Sequence, residues 1–168
     1  MKYHNITHDD MLNGDGVRVV LWLSGCNHCC KGCQNPMTWN PDTGKEFGAA
    51  EWEEITAELS KEHVSGITFS GGDPLYSKNR IPVKNMIETF KICFPGKTIW
   101  LYTGYTWEEI MSDKELKEVI KDIDVLVDGE FVEGLADKTY QWAGSTNQRV
   151  IDVQKSIKKG KVILHESN

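Results

Sequence analysis

The 168 residues predict an α/β protein built on a mainly parallel sheet, either an open sheet or a partial barrel of about five βα units. Three observations predict it. Runs rich in β-branched and large apolar residues alternate with stretches whose apolar residues recur at helical spacing. Most of these runs pass straight into glycine, at Gly25, Gly71-Gly72, Gly104 and Gly129, and the C-terminal edge of a parallel sheet is where such folds carry a ligand. The chain is too short for a closed eight-fold barrel, which typically needs about 250 residues. No linker, low-complexity stretch or repeat divides it, so one domain over residues 1–168 is expected, with an irregular loop over residues 25–40.

The first predicted element is "VRVVLWLS" (Val17–Ser24), which reads as a buried strand. In Glu51–Glu62 the residues Trp52, Ile55 and Leu59 share one helical face, and in Asn79–Phe94 so do Val83, Met86, Ile87, Phe90 and Phe94. Gly66–Ser70, Lys97–Thr103 and Asp124–Asp128 are further strands. Thr106-x-x-Glu109 and Ser112-x-x-Glu115 have the form of capping boxes, opening helices over Trp107–Met111 and Asp113–Lys121. A weaker helix over Asp152–Lys159 and a short strand over Lys161–His165 complete the pattern.

Charge and composition exclude several functions. The formal net charge is −6 and no stretch concentrates Lys and Arg, so no nucleic-acid partner is expected. The lysines Lys155, Lys158, Lys159 and Lys161 read as a solvated helix face. The N-terminal "MKYHNITHDDML" has no long apolar run and carries acids, so it is neither a secretion signal nor a membrane span, and no later segment spans a bilayer. A cytoplasmic protein with no membrane partner is expected. In that compartment thiols stay reduced, so clustered cysteines point to metal or redox chemistry.

Four of the five cysteines fall within "GCNHCCKGCQN" (Gly25–Asn35). They can be read as Cys26/Cys29 and Cys30/Cys33, a closed four-thiolate set, or as C-x3-C-x2-C through Cys26, Cys30 and Cys33 with Cys29 a bystander. A structural zinc site takes four ligands in two separated knuckles, and no second C-x2-C lies further along the chain, although His28 lies in the loop. An iron–sulfur cluster accepts closely spaced thiolates from one loop. Adjacent Cys29 and Cys30 do not easily both face one cluster, which leaves three thiolates and one iron without a protein ligand. Open metal positions mark catalytic rather than structural sites. Cys93, on the edge of a helical apolar face, reads as a buried structural thiol. His4, His8, His63 and His165 are scattered and read as surface or packing residues.

The C-x3-C-x2-C spacing after the first strand, together with "SGGDP" (Ser70–Pro74) after the second, resembles the radical S-adenosylmethionine (SAM) enzymes. Within that group, "NGDGVRVVLWLSGCNHCCKGCQNPMTW", "TFSGGDPL", "WLYTGYTWEE", "DVLVDGEF" and "GSTNQRVID" line up in order and resemble the activating proteins of anaerobic ribonucleoside-triphosphate reductase, from about Asn13 to Leu164. The resemblance implies a partial, open β/α barrel of the radical SAM type. It implies one 4Fe-4S cluster on Cys26, Cys30 and Cys33, whose fourth iron is chelated by SAM. SAM contacts would come from Gly32, Cys33, Gln34, Gly71, Gly72 and Asp73, the turn holding the ammonium of SAM's methionine. The implied activity is reductive cleavage of SAM, with removal of a hydrogen atom from a glycine α-carbon on the large subunit of the reductase. A flavodoxin-like donor would supply the electron. The cofactors carry the hard chemistry, so no catalytic side chain is needed, and the sequence has no convincing Ser/His/Asp triad or phosphate loop.

Two positions depart from the pattern. Gly32 and Gln34 stand where related proteins place an aromatic near the adenine, and His28, Trp39 and Tyr102 are the substitutes at hand. Tyr102, Thr103, Asp128 and Asn147–Arg149 are further candidates at the same sheet edge. For Gly144–Arg149 two readings stand open: contacts to SAM or partner, or a structural turn with Arg149 paired to a surface acid. The rival functions are activation of another glycyl radical enzyme such as pyruvate formate-lyase, a small-molecule radical SAM reaction of the deazaguanine pathway, and a non-catalytic zinc module.

Overall fold

The computed structural model describes residues 1–167. Its centre is an open seven-stranded sheet in the order β3-β1-β2-β4-β5-β6-β7. Four strands are parallel: β2 (Val17–Leu23), β4 (Val64–Gly71), β5 (Thr98–Tyr102) and β6 (Val125–Asp128). Three crossovers join them, through α1 (Ala49–Leu59), α2 (Arg80–Cys93) and the pair α3 (Trp107–Ser112) and α4 (Lys114–Ile120). Antiparallel strands flank this core: β1 (Lys2–Asp10) on β2, the two-residue β3 (Lys45–Glu46) on β1, and β7 (Arg149–Asp152) on β6. α5 (Val153–Lys159) continues directly from β7.

The period-two alternation of the strands sorts the molecule into two faces. Val19, Leu21, Leu23, Ile67, Phe69, Ile99, Leu101 and Leu126 point to the helices and pack on Ile55, Leu59, Val83, Ile87, Phe90 and Ile110. Trp100, Val125 and Val127 point the other way, to a face covered by Tyr102, Trp142, Ala143 and Val150 rather than by helices. Arg18 lies on this second face, fully buried. Its guanidinium donates to Thr68 Oγ1, Thr98 Oγ1 and the carbonyls of Asp15, Ile67 and Thr98, and sits 5.5 Å from the Trp100 ring centre. Burial pulls its pKa down to about 10, so it remains a cation at neutral pH.

Several expectations need correction. The sheet has four parallel strands rather than about five units, because Lys161–His165 forms no strand and contributes only the single pairing of Leu164 with Ile151. Strands β1 and β7 are unexpected: β1 is polar with one buried side chain, Tyr3, which the alternation of a half-solvated strand barely signals, and β7 is only four residues with Ile151 its one buried side chain. The Thr106/Glu109 capping box is present, but α4 is capped by Asp113, whose side chain accepts from the Glu115 and Leu116 amides. Ser112 is instead the last residue of α3, and its hydroxyl donates to Glu109 O at 2.7 Å. Cys93 is exposed, not buried, because Phe94, tilted against Phe90 at 5.5 Å, takes the last packing position of α2. No helix of the described residues is long and apolar enough to cross a membrane.

Candidate functional site

The parallel strands end almost level, with Leu23 beside Gly71 and Tyr102 beside Val127. At this edge a cavity of about 190 Å³ opens on the helix-free face. The chain leaving β2 closes on itself, since the Gly25 and Cys26 amides donate to Thr38 O (2.7 Å) and Trp39 O (3.0 Å). That ring is stitched to the turn after β4: the Gly72 amide donates to Leu23 O at 2.8 Å and the Asp73 amide to Gly25 O at 2.7 Å. A Cβ on Gly72 would lie 2.5 Å from Gly25 O, so only glycine lets the two turns meet.

Cys26, Cys30, Cys33, Gln34, Gly71 and Gly72 all line this cavity. Cys29 does not. It is exposed, with a left-handed φ of 49° that a non-glycine residue adopts at a cost, and this turns the chain so that Cys30 faces inward. A tight turn comes next, the Cys33 amide donating to Cys30 O at 3.1 Å. Gly32 stands off this wall and lines a wider groove beside it. Tyr102, Thr103, Gln148 and the adenine candidates His28 and Trp39 are also in the wall. Asn13, Trp22, Ser70 and Phe131 are wall residues that sequence reasoning missed. Trp22 and Ser70 alternate with core positions, so period two signals them. Asn13 and Phe131 arrive on loops that carry no such signal.

The donor set suits a thiolate-bound cluster. Burial pushes the Cys26 thiol up to about 11 and raises Cys30 as well, so in the metal-free chain both stay protonated at neutral pH and need a bound cation to ionise. Among the described residues no three His, Cys, Asp or Glu side chains gather closely enough for a single metal ion. The three thiols in this wall are soft donors of the kind an iron–sulfur cluster takes. The Tyr102 hydroxyl is buried without a hydrogen-bond partner, a polar group that a ligand in the cavity would satisfy. Burial also raises its pKa, so it is a donor.

Asp73 does not line the cavity. Its carboxylate is 1% exposed and accepts from the Leu75 amide, Thr103 Oγ1 and the Gly104 amide at 2.7–3.1 Å. His28 Nε2 approaches it at 2.9 Å, in an alignment poor for a hydrogen bond, while Nδ1 contacts Glu130 at 2.9 Å. The Asp73 carboxylate, against the opposing effect of burial, pushes the His28 imidazole up to about 9. The cysteine loop therefore places a cation on the turn after β4.

Asp128, equally buried, accepts from the Trp107 amide at 2.7 Å and from the backbone and side chain of Arg149. Arg149 also makes a two-pronged pair with the exposed Glu108 at 2.7 and 3.1 Å. Of the two readings for Gly144–Arg149, the structure shows the turn. Gln148 Oε1 accepts from the Gly144 and Ser145 amides, its amide nitrogen donates to Gly129 O, and Asn147 donates to Glu130 O. Gly144 and Gln148 nonetheless reach the cavity wall.

A family described as a 4Fe-4S single cluster domain matches residues 12–151. An anaerobic ribonucleoside-triphosphate reductase-activating protein of enterobacteria phage T4 is 44% identical over 150 residues, covering 89% of this chain and 93% of the relative. Proteins of the same name from Vibrio cholerae and Escherichia coli K12 are each 39% identical, over 150 and 152 residues, covering 88% and 89% of this chain and 96% and 97% of theirs. These matches bear out the resemblance to the activating proteins of anaerobic ribonucleoside-triphosphate reductase.

Proposed function

The chain belongs to the family of anaerobic ribonucleoside-triphosphate reductase-activating proteins, and on that premise we propose that it is a radical SAM activase of the anaerobic ribonucleotide reductase. The open sheet is then the partial barrel of the radical SAM type, and the protein works in the cytoplasm with a flavodoxin-like electron donor. Cys26, Cys30 and Cys33 would hold a 4Fe-4S cluster, three protein thiolates leaving room for SAM to complete it. When bound, cluster and SAM would supply the one-electron chemistry by which a hydrogen atom is removed from a glycine α-carbon of the reductase.

The chain's own residues bind, orient and exclude. The backbone at Gly71 and Gly72 would take the methionine end of SAM, with Gln34 in the same wall and Gly32 in the groove beside it. Asp73 acts from behind the turn, fixing Thr103 and Gly104 and adding negative charge near the ammonium without touching it. The Tyr102 hydroxyl, buried without a partner, would donate to the ribose or the carboxylate. The groove beside the cavity, of about 910 Å³, runs between Met11–Asn13 and Ala136–Gly144 and is the approach for the glycine-bearing segment of the reductase.

The observation that carries this reading is that Cys26, Cys30 and Cys33, but not Cys29, share one cavity wall with Gly71 and Gly72. The test is anaerobic incubation with SAM, a low-potential reductant and either the anaerobic reductase or pyruvate formate-lyase. Methionine and 5′-deoxyadenosine should form, with a glycyl radical signal on the reductase alone. No radical on the reductase, or a stronger one on the lyase, would overturn the choice of partner.

A further inference from the structure

The family match ends at Ile151; beyond it α5 packs Val153 into the helix-side core, and His165 and Ser167 reach the helix-free face at Trp100 and Trp142. The tail is fixed at its root. The Ile163 amide donates to the buried Ser156 Oγ at 2.8 Å, and Asp152 N and His165 N pair with Ile163 O and Val150 O. Beyond the root its side chains reach Trp142, in one wall of the groove beside the cavity, and Asp15, two residues past Asn13 of the other wall. His165 Nε2 meets Asp15 Oδ2 at 2.6 Å, and Asp15 lies in the loop that carries Met11, Leu12 and Asn13. Trp142, in the opposite wall, donates from Nε1 to Ser167 Oγ at 3.0 Å.

Between these contacts stands Trp100, 1% exposed. Both the His165 ring (5.1 Å, 83°) and the Trp142 ring (5.8 Å, 75°) meet it edge-on. Gly14 closes the cluster from the loop side, where a Cβ would lie 2.7 Å from the Trp100 ring. Besides the Asp15 carbonyl, which accepts from the buried Arg18 at 3.0 Å, the Met11–Gly16 loop has few ties across the sheet. Met11 and Leu12 are 66% and 82% exposed, and Asn13 is anchored by its carbonyl to Thr68 Oγ1 at 2.7 Å. Trp142 is held in a left-handed conformation at φ 65°, which its surroundings must stabilise.

We propose that the segment Lys161–Ser167 is a strap that sets the spacing of the two groove walls, with His165 as the positioning residue that ties the Asp15 loop to the Trp100–Trp142 cluster. This deepens the proposed function and rests on it for the identity of what enters the groove. The reductase then docks on walls already in place, so the strap governs recognition of the protein substrate and leaves SAM cleavage alone.

The test compares the intact protein with His165→Ala, with His165→Gln, which keeps a hydrogen-bonding partner for Asp15, and with a chain ending at Gly160. Amide exchange at Met11–Gly16 and Gln141–Ala143 should quicken about tenfold in His165→Ala while β4 and β5 keep their protection. KM for the reductase in glycyl radical formation should rise about tenfold, with kcat and reductase-independent SAM cleavage within about twofold, and His165→Gln should recover most of the loss. The truncation should exceed His165→Ala in both readouts. An unchanged KM, or a kcat that falls with KM constant, would overturn the strap. If the intact protein itself raises no radical on the reductase, the functional reading fails, and the exchange data alone judge the strap, with unchanged walls refuting it.

Discussion

Asp73, after β4, and Asp128, at the end of β6, are both 1% exposed and both sit where a parallel strand gives way to a turn, yet their partners differ in kind. Asp128 meets Arg149 of the neighbouring strand, a permanent cation that also clasps Glu108 of α3. That corner is complete within the sheet and its helix. Asp73 has two amides, one hydroxyl and, as its charged partner, His28 from the cysteine loop. One acid closes a structural clasp, whereas the other makes the seat of the cavity depend on how the cysteine loop lies. Sequence type alone does not separate them, since each is an aspartate beside a glycine at a strand end.

Substitution should separate them. Asp73→Ala strands the Thr103 hydroxyl, two amides and His28 at once, and is expected to cost about 3 kcal/mol of stability in denaturant unfolding. Because Thr103, Gly104 and His28 lose the carboxylate that orients them, while the backbone bonds between loop and turn remain, SAM affinity measured on the cluster-loaded protein should also fall at least about tenfold. Retained affinity in the folded variant would reduce Asp73 to a second clasp. Arg149→Met leaves Asp128 buried without its cation but keeps the Trp107 amide. Arg149 is itself one-third exposed, so about 2 kcal/mol is expected, with SAM affinity per folded molecule within about twofold. A tenfold loss of affinity there would erase the distinction between the two corners. The smallest effect belongs to Tyr102→Phe, which removes a hydroxyl that has no partner in the protein. Stability should stay within about 0.5 kcal/mol, while SAM affinity falls about three- to tenfold through one lost hydrogen bond. Undiminished binding would show that the hydroxyl faces no ligand.

Residue type and period make part of the molecule legible in its sequence. The parallel strands are continuous apolar runs because helices cover one face and a packed aromatic cluster the other, and α2 shows its buried face as Val83, Met86, Ile87 and Phe90. Cys26, Cys30 and Cys33 stand out because thiols are rare and their spacing is chemical. β1 and β7 are hidden because their polar residues find partners only in the fold: Thr7 accepts from Trp22 Nε1, and Arg149 pairs with Asp128. The role of Asp73 is half legible. Its turn is evident from Gly71 and Gly72, but the direction of its carboxylate is set by Thr103 and His28, thirty and forty-five positions away in sequence. The tail reads as a strand because "KVILH" is apolar, although His165 spends its side chain on Asp15 and Trp100.

The most direct measurement is the metal content of anaerobically purified protein alongside its Cys30→Ala and Cys29→Ala variants. The parent and Cys29→Ala should be brown, with about four irons and four sulfides per chain, and Cys30→Ala should have lost the cluster together with SAM cleavage. Colourless protein holding about one zinc per chain, or equal loss from Cys29→Ala, would contradict the three-thiolate site.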